Sequence, residues 1–281
     1  MAGFGELELN LTRQLALNLG GRIDWYDTFG MAASPRVAIM YLPNSRTSLK
    51  YIFGHAFRAP DAYDQYYVDQ IDITAPNKNL KPEDIESHTL ALEHRLTPWL
   101  ALTVDGFLNH LDKVIEEQMD AAEGSTHFVN GPGDGGRGVE VELDAKRASG
   151  WAGRASYTFA ETKELVSKAA VNNSPSHLAK LNAEIPVARH GFLGLELLYT
   201  AAQENYLRQR IGSSLLTNVT ASTKPLWGGW QFSASCYNLF DRTWATPTGP
   251  ELIQPAARQD GRGYRFKISY RLSLRSGRDR K

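Results

Sequence analysis

The stretch Gly263-Tyr264-Arg265-Phe266-Lys267-Ile268-Ser269-Tyr270-Arg271-Leu272 alternates between apolar and polar residues. A strand turns successive side chains to opposite faces. Tyr264, Phe266, Ile268, Tyr270 and Leu272 therefore share one face, and Arg265, Lys267, Ser269 and Arg271 the other. The same period recurs in Val139, Val141 and Leu143 against Glu140, Glu142 and Asp144, and in Leu15, Leu17 and Leu19 against Asn18 and Arg22. Strands with lipid on one side and water on the other would be selected for this pattern.

Outward from that stretch, strand candidates are Glu6–Leu11, Leu15–Tyr26, Pro35–Leu42, Thr47–Ala56, Glu83–Leu96, Leu100–Ile115 and Gly138–Arg147. They continue as Trp151–Thr162, His177–Pro186, Leu193–Gln203, Leu215–Lys224, Trp230–Phe240 and Gly263–Leu272. Tight connections such as Pro43–Arg46, Thr97-Pro98, Ala148–Gly150 and Trp227–Gly229 alternate with long polar ones at Ala59–Pro82, Glu116–His127, Lys163–Ser176, Glu204–Ser213 and Asp241–Arg262. That alternation predicts an all-β chain: an antiparallel transmembrane β-barrel meander, partial at about 12–13 strands, with its long loops at one end. A soluble sandwich has no reason to segregate its long loops so regularly. Trp99, Trp151, Trp227 and Trp230 beside the short connections suit an interfacial aromatic girdle. Glu161–Ala170 reads as a short helix within a long loop.

Composition excludes other classes. The net charge is zero, with no electrostatic case for nucleic acid. The longest apolar run, Val37–Leu42, is far below the roughly 18–20 residues of a spanning helix, whereas a barrel strand needs only about 9–11. The single Cys236 cannot form an internal disulfide and reads as a small strand residue. Met1–Asn10 has no secretory leader pattern and enters a strand almost at once, so the chain reads as the later part of a longer one. The expected organisation is one barrel domain over residues 1–272 and a basic disordered tail over 273–281.

No arrangement of residues points to an enzyme, a cofactor or a metal. His88 and His94 share a strand face but lie roughly 20 Å apart along it, too far to chelate one ion. His110 and Asp112 share a face that excludes Asp105, and no nucleophile motif accompanies them. Glu116, Glu117, Asp120 and Glu123 lack the EF-hand pattern and read as a solvated loop.

The residues at the strand ends resemble a known family, the β-barrel of TonB-dependent outer-membrane receptors. Phe57-Arg58-Ala59-Pro60 resembles the family's entry to a long extracellular loop, and Asn79, Pro82 and Glu83 within Asn77–Glu83 its entry to the next strand. Asn130 followed by Gly138 and Glu140, and Pro175 followed by His177, are similar to later strand starts. Asn238-Leu239-Phe240-Asp241 with Gly261-Arg262 resembles the closing hairpin. Structural roles fit these residues: Pro60 and Pro82 lack a backbone donor where pairing starts or stops, and Asn238 and Asp241 turn the chain out of a strand.

The resemblance implies an outer-membrane receptor embedded in lipid. It would take up a scarce nutrient, most often a ferric siderophore, through its extracellular loops and draw on TonB through a plug. Family barrels have about 22 strands; with thirteen and no plug, the chain is expected to be a fragment whose sheet does not close. Arg58, Arg208 and Arg210 at loop ends are candidates to face an anionic ferric chelate. The alternative is a small self-contained outer-membrane barrel, either a porin-like channel or an enzyme. A third class is a soluble β-rich binding module.

Overall fold

All thirteen period-two segments form strands in the computed structural model, which describes residues 1–68, 75–120, 125–187, 189–249 and 252–272. In chain order the elements begin with β1 (Ala2–Asn10), β2 (Leu15–Tyr26), β3 (Gly30–Asn44), β4 (Thr47–Arg58), the short helix α1 (Ala62–Tyr66), β5 (Glu83–Thr97) and β6 (Leu100–Asp112). Next are β7 (Ile115–Asp120), β8 (Ser125–Asn130), β9 (Asp134–Lys146), β10 (Ala152–Glu164), β11 (His177–Val187) and β12 (Gly191–Thr200). The remainder are β13 (Gln203–Glu204), β14 (Arg210–Ile211), β15 (Ser214–Thr223), β16 (Trp230–Tyr237), β17 (Ala245–Pro247), β18 (Ala256–Arg258) and β19 (Gly263–Tyr270).

One 13-stranded sheet runs in the order β1-β2-β3-β4-β5-β6-β9-β10-β11-β12-β15-β16-β19, each strand beside its predecessor, with β1 and β19 at the two ends. Successive connections fall on opposite edges. The turn edge holds residues 11–14, 45–46, 98–99, 147–151, 189–190 and 224–229. The loop edge holds every long connection, and also one of three residues, 27–29, because β3 starts at Gly30 rather than Pro35. Three small hairpins, β7–β8, β13–β14 and β17–β18, lie within the long loops. The chain divides into two compact units, Met1–Arg95 with Leu102–Val141 and Phe159–Ser174, and Leu96–Ala101 with Glu142–Thr158 and Pro175–Lys281. The expected tail, 273–281, lies outside the described residues.

Register shows how the faces sort. In the second unit Leu195 stands opposite Val219, Val219 opposite Cys236, and Cys236 opposite Tyr264. Phe266 and Ile268 face Ala234 and Phe232. The alternate positions carry polar groups: Glu196 lies between Asn182 and Asn218, and Arg265 and Lys267 lie opposite Ser235 and Ser233. The Asn218 amide donates to Glu196 at 3.0 Å and the Thr220 hydroxyl to Ser235 at 2.8 Å. In the first unit Leu49 faces Leu92 and Tyr51 faces Leu90, while Lys50 pairs with Glu93 at 2.6 Å on the other side.

No dry core accompanies this sorting. Among the described residues only Leu80, Ala201 and Leu216 are buried hydrophobics, whereas Phe266 is 80 % exposed and Ile268 65 %. A contiguous exposed apolar face of this size belongs against lipid or a partner.

Two local expectations need correction. Glu161–Ala170 is not helical: β10 continues to Glu164, and Lys163 bridges back to Ala170. Strand spacing puts Glu161 and Lys163 on one face, where the Glu161 carboxylate accepts from Arg137 of β9 at 2.6 Å and from Lys163 at 2.5 Å. Cross-strand pairing prevails there over helix propensity. Glu116–His127, expected as an open loop, carries the β7–β8 hairpin, with Ile115 opposite Asn130 and Gln118 opposite His127.

Candidate functional site at the loop edge

Residues far apart in sequence meet where the strands open into the long loops. Arg58 ends β4 and is the register partner of Glu83, which starts β5. The Arg58 guanidinium donates from Nε to Glu83 Oε2 at 2.6 Å, from Nη2 to Glu83 Oε1 at 2.9 Å and from Nη1 to Asp64 Oδ2 at 2.9 Å. This is the bidentate fork that suits arginine to carboxylates. Asp64 is fixed in turn by α1, where Asp61 caps the helix and the pair forms a reciprocal capping box. Glu83 Oε1 also accepts the Ile115 N–H at 2.7 Å. Arg58 and Glu83 sit at the strand termini on the loop side. The Arg58 hydrogen bonds, then the Ile115 N–H, hold the Glu83 carboxyl below the ordinary range despite partial burial.

A second knot secures the rest of loop 59–82. The Asn130 amide accepts the Lys81 N–H at 2.8 Å and donates to the carbonyls of Lys81 and Lys113, both at 2.9 Å. The Asn77 amide donates to the Phe128 carbonyl at 2.8 Å and accepts the Asn79 N–H at 3.0 Å. Leu80 is buried beneath these contacts, Pro82 leads directly into β5, and Pro60 is buried at the loop's other end. The Phe57 ring meets Tyr26 and Phe29 edge-on. The unpaired donors and acceptors of a long loop are thus satisfied by side chains rather than by a ladder.

Gly138 in β9 has a steric reason. A Cβ there would lie 2.3 Å from the Phe159 carbonyl oxygen and 2.5 Å from the Phe107 ring. Glu140 follows two residues on, sharing that face of the strand.

In the second unit the closing motif makes another knot. Asn238 and Asp241 adopt left-handed φ of 48° and 51°, which Asn and Asp tolerate best among non-glycine residues. The Asn238 N–H donates to Asn218 Oδ1 at 2.8 Å, its amide donates to the Arg242 carbonyl at 2.8 Å, and its Oδ1 accepts the Arg242 N–H at 2.9 Å. Leu239 N–H reaches the Thr217 carbonyl at 2.8 Å, and Phe240 is 65 % exposed. Asp241 Oδ1 accepts the Arg262 N–H at 2.8 Å, and a Cβ on Gly261 would come within 2.7 Å of that oxygen. His177 starts β11 two residues after Pro175; its Nδ1 shares a 2.7 Å hydrogen bond with Tyr157 Oη.

Asn205 is a tie that sequence reasoning missed. Fully buried, it accepts the N–H groups of Leu207 and Gln209 at 2.9 Å and donates to the Pro255 carbonyl at 3.1 Å. It fastens loop 201–213 to loop 238–262. Nothing in Gln-Glu-Asn-Tyr marks it, because the partner lies fifty residues away.

The remaining candidates do not converge on chemistry. His88 bonds Tyr51 Oη at 2.8 Å and Glu86 at 3.0 Å, His94 bonds Thr47 at 3.0 Å, and His110 lies 3.2 Å from Asp112. Among the described residues no cluster of His, Cys, Asp or Glu could hold a metal; Glu123 lies outside them. Arg58 is saturated by carboxylates, and Arg208 lies 3.8 Å from Glu204, so neither is an open anion receptor. A concavity of about 630 Å³ on the polar face of the second unit is lined by Asp144, Arg154, Asn182, Glu184, Glu196 and Asn218. It is an open wall of mixed charge.

Comparison with known proteins agrees with this architecture. The family described as TonB dependent receptor-like, beta-barrel matches residues 1–239. By sequence, no curated protein matches. Among solved structures, the siderophore receptor PirA from Acinetobacter baumannii aligns over 96% of this chain and 45% of its own, with a TM-score of 0.78 and 15% identity. A variant of the ferric enterobactin receptor PfeA from Pseudomonas aeruginosa aligns over 94% and 43%, at 0.78 and 18%. The copper transporter OprC aligns over 96% and 46%, at 0.76 and 18%. The chain thus spans less than half the length of these structures, all receptors or transporters. With thirteen meandering strands and loops gathered on one edge, the chain belongs to the TonB-dependent receptor β-barrel family.

Proposed function

We propose that this chain forms part of the barrel of an outer-membrane receptor that imports a scarce metal chelate, of which a ferric siderophore is the leading candidate. The observation that carries this reading is the sheet itself, whose apolar face is exposed and whose long loops are tied into ordered platforms along one edge. Thirteen is an odd number, and bacterial single-chain barrels close with even ones. That favours a part of a larger barrel over a small self-contained channel or enzyme. The loops would contact the ligand outside the cell. A plug domain supplied by the rest of the receptor would link transport to TonB. Siderophore receptors and a copper transporter among the structural neighbours support a chelated metal as cargo without fixing which.

The test is to disrupt the gene in its host and measure uptake of a panel of radiolabelled ferric and cupric chelates, with and without a protonophore. The expected result is loss of one protonophore-sensitive uptake. Unchanged uptake of every chelate would refute the receptor reading, and a lost but protonophore-insensitive permeation would indicate a passive channel.

A further inference from the structure

What sets the turn edge apart is that its cations stand in segments free of acidic residues. On the strand faces and at the loop edge, Arg22, Lys50, Arg58, Lys113, Arg137 and Arg154 each pair with a carboxylate. The segments Leu11–Gln14, Pro43–Arg46, Arg95–Trp99, Lys146–Trp151, 187–192 and Lys224–Trp230 contain no Asp or Glu, yet each carries at least one Lys or Arg. In a chain of zero net charge this is a segregation rather than an excess.

In the first unit the cations are Arg13, Arg46 and Arg95, all exposed, and the Arg95 N–H donates to the Arg46 carbonyl at 2.8 Å, which sets the two residues side by side. In the second unit they are Lys146, Arg147, Arg189, Lys224 and Arg271, again all exposed. None of these eight forms an ion pair among the described residues.

Aromatic rings stand among them. The Arg147 guanidinium lies 4.5 Å from the centroid of the Trp99 ring and Lys224 Nζ 5.2 Å from that of Phe192. Trp230 and Tyr270 pack at 4.8 Å, next to Arg271, whose N–H donates to the Gly229 carbonyl at 3.0 Å. Trp151, Trp230 and Tyr270 remain about half exposed. Rings of this kind anchor at the level of lipid headgroups. A cation resting on a ring keeps its charge and leaves its other side open to an anion.

We propose that the turn edge binds anionic phospholipid headgroups, selecting phosphatidylglycerol-type lipids over zwitterionic ones in the leaflet it meets. The inference rests on reading the strands as membrane-spanning. Unpaired cations supply the selectivity, and the neighbouring rings fix the depth at which they meet the phosphates. The absence of nearby carboxylates removes the internal competitor that would otherwise neutralise them. Each cation near an anionic surface contributes about fivefold to binding.

The test uses the full chain folded into vesicles, with Trp25 and Trp244, which lie at the loop edge, replaced by Phe. The remaining tryptophans then report on the turn edge. Their quenching is compared for brominated phosphatidylglycerol and brominated phosphatidylcholine, each diluted in unlabelled lipid. The expected result is at least about threefold stronger quenching by the anionic lipid. That preference should be lost in the R147Q/R189Q/K224Q/R271Q variant and in high salt, and retained when the same arginines become lysine. If the neutral variant does not fold, the salt titration of the parent decides alone. Soluble glycerophosphoglycerol should not compete; competition would mean an anion site rather than a lipid surface. Equal quenching by both lipids would overturn the proposal while leaving the membrane reading intact. Absence of quenching by either would overturn the membrane reading itself.

Discussion

The two edges of this sheet are built from opposite chemistry. At the loop edge, polar side chains serve as ties: Arg58 spends three nitrogens on Glu83 and Asp64, and Asn130 and Asn238 spend their amides on backbone. At the turn edge, cations stand exposed with no carboxylate partner, beside aromatic rings. Long loops have many backbone groups to satisfy and no ladder to do it, so polar side chains inside them become structural ties. In the two-residue turn Ser45-Arg46 the Arg46 N–H is held by Asn44 Oδ1 at 2.9 Å and its carbonyl by the Arg95 N–H at 2.8 Å, while the residue stays exposed. The comparison separates residues that hold the fold from residues available to a partner.

The sharpest way to break the loop edge is steric. Gly138→Ala forces a Cβ against the Phe107 ring and against the Phe159 carbonyl, which is backbone and cannot swing aside. A loss of about 3 kcal/mol is expected, read from the midpoint of heat-modified migration on gels. A change below about 0.5 kcal/mol would mean that β9 and β10 shift freely there. Arg58→Ala comes next: it leaves Glu83 and Asp64 facing each other without their shared cation. Because Arg58 is half exposed, the expected cost is about 2 kcal/mol rather than that of a fully buried pair. The same variant should make loop 59–82 more sensitive to protease than loop 238–262.

Acid separates contributions of opposite sign. The Glu83 carboxyl is held low by Arg58, so its stabilisation is complete above the usual glutamate range near about 4.3 and is lost as pH falls through its lowered value. Glu116, in the β7–β8 hairpin, is pushed up by burial and then by Glu164 and Asp134, so protonating it on the way down from neutrality relieves strain. Loop-edge stability should therefore rise as pH falls from neutrality toward the usual glutamate range, and fall once pH drops below that range. In Arg58→Ala the fall should be smaller, because only the Ile115 N–H still holds the Glu83 carboxyl low. A monotonic decline in both proteins would refute the assignment. The smallest effect is expected at the turn edge, where Arg147→Gln and Lys224→Gln should each change stability by less than about 0.5 kcal/mol. A large loss there would show that these cations hold the fold after all.

These contrasts also mark what could be read in the sequence. All thirteen main strands were legible because period two needs only local residues; Leu15–Tyr26 is placed to the residue. Strand ends drifted where pairing, not pattern, decides: β3 begins five residues before Pro35, and β10 runs through a stretch of helical propensity because Arg137 waits on the neighbouring strand. The local turn role of Asn238 and Asp241 was legible, yet the long-range partners of the other strand-end residues were not. Nothing local says that Arg58 meets Glu83 and Asp64, or that Asn130 reaches back to Lys81. Asn205 was invisible, since its burial depends on Pro255 in another loop.

Cys236 offers the most direct test that the apolar face meets lipid. It stands between Val219 and Tyr264, six residues from Trp230 at the turn edge. At a typical strand tilt that places it roughly 14 Å into the bilayer. A nitroxide attached to Cys236 in vesicles should collide readily with dissolved oxygen and hardly at all with a water-soluble nickel chelate. The same label at Lys267→Cys, in a Cys236→Ala background, should show the reverse, because Lys267 lies on the opposite face. Equal access of the nickel chelate to both positions, or greater access at Cys236, would contradict the assignment of this sheet to a membrane.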